Sequence, residues 1–484
     1  MNLRRLFVLL GLGLALGLVP AAASAARSGD SEPRLWGDVE AFKAAAQQDG
    51  FTVQAGEFKE VPVVQLFCKG VLPSGYGYNS PTPALACFLP KAPGQKAENR
   101  MPWTFSLRPD EALVYIGRTP PEMKYFSYRS YLATRYFESE GRRRRVFASL
   151  GDTVNNLTVK TAGKARGPKG AFDRTVVVIS TADRDIDKRV RRALRKAGFT
   201  ASAMNTDVVP SALVRMGLEE HDDDFVFLHR IASPSDPAAG AEYLKNPGGL
   251  VLRLTPTSPP VPDPFPMPRL RARGTGRTEV HLLSALEDLR KAVMAKHTGL
   301  KAESLDTSVR LPEGLEAIQR GVDVLGEIRD TTYLRTDHFK LADNPGEFVI
   351  VYGVNHAASG KAVYANFNLY GATPVPGQEP VKGVVTEEML GVGCVHDAQW
   401  PGSAEIYIPG HPMARYLYAW KVSRQCADDP HCLKAQKPVP DCDRLRMEDL
   451  FIGFRAYLEP ETRTGPAWGE LLYDRAVKFS SGRP

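Results

Sequence analysis

Thr175-Val-Val-Val-Ile179 runs through Ser180, Thr181 and Ala182 into Asp183-Arg-Asp-Ile-Asp-Lys-Arg-Val-Arg-Arg-Ala-Leu-Arg-Lys-Ala197, and Gly198 follows. The first five residues form an unbroken apolar run of strand length. Such a run predicts a strand buried on both faces of a parallel sheet. After it, Ile186, Val190, Ala193, Leu194 and Ala197 recur at helical spacing, and Gly198 supplies the stop. A strand feeding directly into an amphipathic helix is an α/β unit. Ser180 or Thr181 is the expected cap, with Asp183 completing a capping-box pattern. The alternation of Asp183, Asp185 and Asp187 is not a calcium loop, because Lys188 stands where the glycine is required and Leu194 where the bidentate acid is required.

Outward from this unit the chain is read as mixed α+β. Strand-rich N-terminal and C-terminal regions flank an α/β middle region. The expected division is a strand-rich domain over 34–165, an α/β domain over 170–300, and a second strand-rich domain over 310–484 with a cysteine-rich end. In the first, Val61–Phe67, Ala84–Leu89 and Ala112–Ile116 read as strands, and Tyr125–Tyr131 as a strand with one buried face. In the second, Asp224–Leu228 and Gly249–Leu254 are strand candidates, and the Pro-rich stretch 256–268 leads to an amphipathic helix over 279–297. In the third, a helix over Pro312–Leu325 precedes strands at Glu347–Val354, Ala362–Tyr370, Glu405–Ile408 and Arg415–Val422. Gly353–Gly360 and Gly371–Gly377 read as turns, and Gly391–Gly402 and Ala427–Pro440 as loops.

Residues 1–25 read as a cleavable signal. Arg4 and Arg5 precede the apolar run Leu6–Val19, and Pro20-Ala-Ala-Ala-Ser-Ala25 ends in small residues. Fourteen apolar residues span about 21 Å as a helix, short of the roughly 30 Å hydrocarbon core. The expectation is therefore cleavage near Ala25 and a periplasmic or secreted protein with no transmembrane span in its mature part. That part carries 60 basic against 55 acidic side chains. So mild a charge balance argues against nucleic acid as a partner, and the four arginines Arg142–Arg145 read as a solvated turn.

All six cysteines, Cys68, Cys87, Cys394, Cys426, Cys432 and Cys442, lie beyond the signal, and an even count in an oxidising compartment points to disulfides. Their distribution suggests Cys68–Cys87 as one bridge, with one or two more among the C-terminal four. No C-x-x-C pair suggests zinc.

The familiar catalytic signatures are missing. The chain has no G-x-S-x-G, S-x-x-K, H-E-x-x-H or C-x-x-C-H, and no G-x-G-x-x-G follows the strand at 175–179. Five of nine histidines fall between 338 and 431: His338, His356, His396, His411 and His431. Two readings stay open. They are separate structural or surface histidines, or His338, His356 and His396 converge with Asp337 or Asp397. Convergence would make a metal site, or a metal-free site with His356 as general base. Tyr125, Tyr128 and Tyr131 are candidates for the wall of a ligand pocket. No cofactor is specified, and the oligomeric state is left open.

Pro120-Pro-Glu-Met-Lys-Tyr-Phe-Ser-Tyr128, Ala148-Ser-Leu-Gly-Asp152, Thr175–Asp183, Val351-Tyr-Gly-Val-Asn-His356 and Arg455-Ala-Tyr457 together resemble an uncharacterised family of secreted or envelope proteins. The resemblance implies no activity. The expected function is binding of a small or polymeric ligand outside the cytoplasm. The alternatives are a metal- or histidine-dependent hydrolase or lyase, and an envelope interaction protein.

Overall fold

A computed structural model describes residues 32–72, 74, 75, 79, 83–163, 170–309, 312–374, 387–445 and 447–481. The signal-peptide reading and the Gly377 end of the expected turn lie outside them. The protein is mixed α+β, 20% helix and 36% strand, so sheets set its architecture.

The largest sheet has ten strands and curls into a half-barrel. Its spatial order is Arg142–Ser149, Met123–Phe137, Asp224–Pro234, Ala84–Phe88, Phe51–Glu60, Gly249–Pro256, Ala112–Arg118, Thr175–Thr181 and Met204–Val208, with Val154–Asn155 pairing off Met123–Phe137. Strands from both 34–165 and 170–300 interleave in it. Thr175–Thr181 is buried along its whole length. It pairs antiparallel with Ala112–Arg118 and parallel with Met204–Val208, so a single strand–helix–strand crossover is joined to an otherwise antiparallel sheet. Alternation then sorts the core. Val114, Ile116, Val177, Ile179 and Leu252 face the helices Glu32–Gln48 and Arg184–Lys196. Leu113, Tyr115, Val176, Val178 and Val251 face the inside of the curl.

The rest forms two five-stranded sheets. One runs Lys301–Leu305, Arg475–Ser480, Phe348–Val354, Leu417–Ser423, Cys432–Lys434; the other runs Thr307–Val309, Thr331–Thr336, Asp449–Tyr457, Tyr364–Pro374, Glu387–His396. Val351, Trp420 and Val422 of the first meet Phe367, Leu369 and Phe454 of the second in a shared core. The helix Leu283–Lys296 covers the outer face of the first. The outer face of the second packs on the large sheet, where Tyr364 and Tyr457 meet Tyr125. Among the described residues no helix is long and apolar enough to cross a membrane.

Several local expectations are corrected. Val61–Phe67 is not a strand; the strand ends at Glu60, and Val63–Cys68 is a short helix. Pro62 has no N–H for a ladder and its fixed φ suits a helix start, which overrides the strand preference of Val63-Val64. The helix at 184–196 is capped by Asp183, whose carboxylate accepts from Asp185 N–H at 2.8 Å and Ile186 N–H at 2.9 Å, not by Ser180 or Thr181. Gly198 does stop it, at φ +96°. Glu405–Ile408 is not a strand: the 3-10 helix Ala404–Ile406 and a following turn occupy it, and residues 391–396, expected as loop, complete the strand Glu387–His396.

Cys68 pairs with Cys442, not with Cys87, and Cys426 pairs with Cys432. Cys87 and Cys394 carry free thiols. Burial pushes the Cys87 thiol up to about 12.

Candidate ligand-binding site

A cavity of about 290 Å³ opens beside the strands Met123–Phe137 and Asp224–Pro234 of the large sheet, with Tyr457 of the second small sheet in its wall. Val61, Val63, Leu72, Trp103, Phe147 and Leu228 make the wall apolar. Each is placed by a local rule. Ala133 shares the wall with Val226 and Leu228 of the neighbouring strand, where alternate residues share one side. The turn at Pro62 swings Val63 inward.

The far side is closed by a long-range contact. Gly75 N–H donates to the Met389 carbonyl at 2.7 Å, and a Cβ there would stand 2.5 Å from Leu390 Cδ1, so a larger residue would have to displace that side-chain end. The Cys68–Cys442 bridge and Arg444, which donates to the carbonyls of Phe67 and Leu72 at 3.0 Å each, tie the Val63–Cys68 helix and Leu72 to the C-terminal segment.

Two guanidiniums border the cavity. Arg145 is engaged, its Nε donating to Asp323 at 2.6 Å. Arg230 is 8% exposed. It donates from Nη2 to the Gly326 carbonyl at 2.7 Å and lies over the Tyr131 ring, 5.3 Å from its centroid. Its buried Nε has no hydrogen-bond partner.

No family model and no curated protein matches the chain. Among solved structures it is similar to an uncharacterized protein from Burkholderia cenocepacia, with TM-score 0.38 and 11% identity over 92% of this chain and 86% of that one. It is similar as well to the VPA0106 protein from Vibrio parahaemolyticus, with TM-score 0.37 and 11% identity over 93% of this chain and 100% of that one. Neither likeness brings an activity with it.

Tyr125, Tyr128 and Tyr131 are fully buried core residues outside the cavity wall. Tyr125 donates to Asp330 at 3.0 Å, and its hydroxyl oxygen lies 2.7 Å from Ser127 Oγ. Thr153 and Asn155 also donate to Asp330, at 2.6 and 2.9 Å. Tyr128 stacks on His229 with centroids 4.1 Å apart. Tyr131 lies beneath Arg230 and so sits one layer behind the wall. Sequence reasoning missed Arg230 and Trp103; the signal available for Arg230 was a cation amid the apolar run Phe225–Ile231.

The histidines do not converge. His338 contacts Arg335 at 3.1 Å and Asp449 at 3.6 Å. His396 ends its strand 3.9 Å from Asp397, whose carboxylate accepts from Lys124. Asp337 is exposed, and its N–H donates to the Asp306 carbonyl. His411 lies 3.9 Å from Asp288, and His431 packs edge-on to Trp420. Among the described residues no three metal-ligating side chains are placed to share an ion.

His356 stands apart as a buried ion pair. Its Nδ1 lies 2.9 Å from Glu279, and its Nε2 lies 3.5 Å from Asp474. Ser359 also donates to Glu279, at 2.5 Å, and Tyr418 donates to Asp474 at 2.7 Å. Burial would lower the imidazole pKa, but the Glu279 charge together with Asp474 raises it to about 10. Both ring nitrogens of His356 face these buried carboxylates. It locks Glu279, just ahead of the 3-10 turn Val280–Leu282, to the end of the strand Phe348–Val354.

Proposed function

We propose that the protein binds a small, mainly apolar molecule in the cavity between the large sheet and the second small sheet, and that it does so outside the cytoplasm. One observation carries the binding reading: an apolar cavity of about 290 Å³ with few polar groups, close to the lower size of small-molecule sites. An apolar wall of this extent gains packing contacts and loses water-exposed area when an apolar ligand fills it. Two disulfides in a chain with an apolar leader support an oxidising compartment.

The test is titration with Nile red, a neutral apolar fluorophore, against the wild type, Ala133→Trp and Val63→Trp. Saturable binding to the wild type that falls at least tenfold in either filled variant supports the reading. Absence of saturable binding, or equal binding in both folded variants, would overturn it.

A further inference from the structure

We infer that the ligand is a monocarboxylate whose anionic head pairs with Arg230; this deepens, and rests on, the cavity reading above. Arg230 is a guanidinium, charged at every accessible pH, in a wall otherwise mostly apolar. A buried charge is costly unless paired and hydrogen-bonded. Yet among the described residues no carboxylate lies within ion-pair distance of Arg230, a residue of the cavity wall, and of its three nitrogens only Nη2 makes a hydrogen bond. The cation is nevertheless held in place by the Gly326 carbonyl and the Tyr131 ring.

Nearby acids leave it short of charge. Asp330 is occupied by Tyr125, Thr153 and Asn155. Glu327 accepts from Ser149 at 3.2 Å, and burial pushes its carboxyl up to about 7, so near neutrality it supplies only part of a negative charge. One under-compensated guanidinium suits one negative charge better than the double charge of a phosphate monoester. A carboxylate also matches the planar fork of a guanidinium. The apolar remainder of the cavity then takes a hydrocarbon or aromatic body.

The experiment is calorimetric titration of the wild type, Arg230→Met and Arg230→Lys with decanoate, decanol and decylammonium. A charge-assisted pair predicts that the wild type binds decanoate about ten- to a hundredfold more tightly than decanol, and decylammonium most weakly. Arg230→Met should lose that preference while still binding decanol, and Arg230→Lys should keep part of it. Equal binding of decanoate and decanol by the wild type, or a preference unchanged in Arg230→Met, overturns the inference while leaving the cavity reading intact. Should the Met variant not fold, the wild-type preference among the three probes decides alone. Failure of all three, together with Nile red, overturns the cavity reading itself.

Discussion

At the residue scale, two buried ionisable groups each hold their proton more tightly in the folded protein, His356 as a cation and Glu327 as a neutral acid. His356 has its folded pKa raised to about 10, above the ordinary 6.5. Its contribution is therefore fully present below about pH 6.5 and is lost as pH rises through about 10. His356→Gln removes the cation that Glu279 and Asp474 share, and the expected cost is about 3–5 kcal/mol at pH 6, shrinking toward pH 10. Denaturant unfolding of both proteins across that range measures it, and a pH-independent difference would contradict the buried pair. Glu327 is raised to about 7 from 4.5. Its neutral form favours folding below about pH 4.5, and that advantage disappears as pH passes about 7. Glu327→Gln should therefore stabilise the protein at pH 8 relative to pH 5, by up to about 3 kcal/mol. The sequence showed His356 at a strand end but not what faces it. Glu279 is 77 residues away and Asp474 118, and spacing carries no information on such contacts.

At the element scale, local pattern was legible wherever a segment's own periodicity decides its structure. Thr175–Thr181, Arg184–Lys196, Ala112–Arg118 and Leu283–Lys296 follow the apolar spacing read from the chain. Reading failed where a proline or a distant partner decides. Pro62 turned an apolar β-branched run into a helix, and Asp183 took the cap from Ser180 and Thr181 because its second oxygen accepts from Asp263 N–H at 2.6 Å. Asp183→Ala should cost about 1 kcal/mol from the cap alone, and more with the anchor of the 256–268 segment, read as a lowered thermal midpoint. The bridges are separable in the same way. Cys68–Cys442 closes a span of 374 residues and Cys426–Cys432 one of six. Chain-entropy arguments assign about 2 kcal/mol to the short loop and up to about 5 to the long one. The double Cys68→Ser, Cys442→Ser variant should lose more stability than Cys426→Ser, Cys432→Ser, and it should weaken Nile red binding because it frees the Val63–Cys68 helix from the cavity wall. Equal losses would contradict that placement.

At the scale of the whole molecule, the arrangement of sheets makes the cavity. Mixed α+β character was legible from composition and pattern. The interleaving of strands from 34–165 and 170–300 was not, because strand order depends on pairings such as Phe51–Glu60 with Gly249–Pro256, some 200 residues apart. For the same reason the tyrosine row was visible as a strand and invisible as core. The helices Glu32–Gln48 and Arg184–Lys196 and the second small sheet cover different parts of one face of the ten-stranded curl, and the second small sheet buries even Tyr125. The wall residues come from the large sheet, from the helix after Pro62 and from Tyr457, so the site exists only once these parts have assembled. Ligand binding should accordingly raise the thermal midpoint in proportion to the logarithm of ligand concentration.

Native mass spectrometry of the protein, purified from the cells that make it without denaturation, addresses occupancy most directly. A non-covalent adduct is expected, released by denaturation, whose fragmentation shows an apolar body with one carboxylate. Arrival as bare polypeptide, with neither decanol nor decanoate taken up when offered at saturating concentration, would contradict the account.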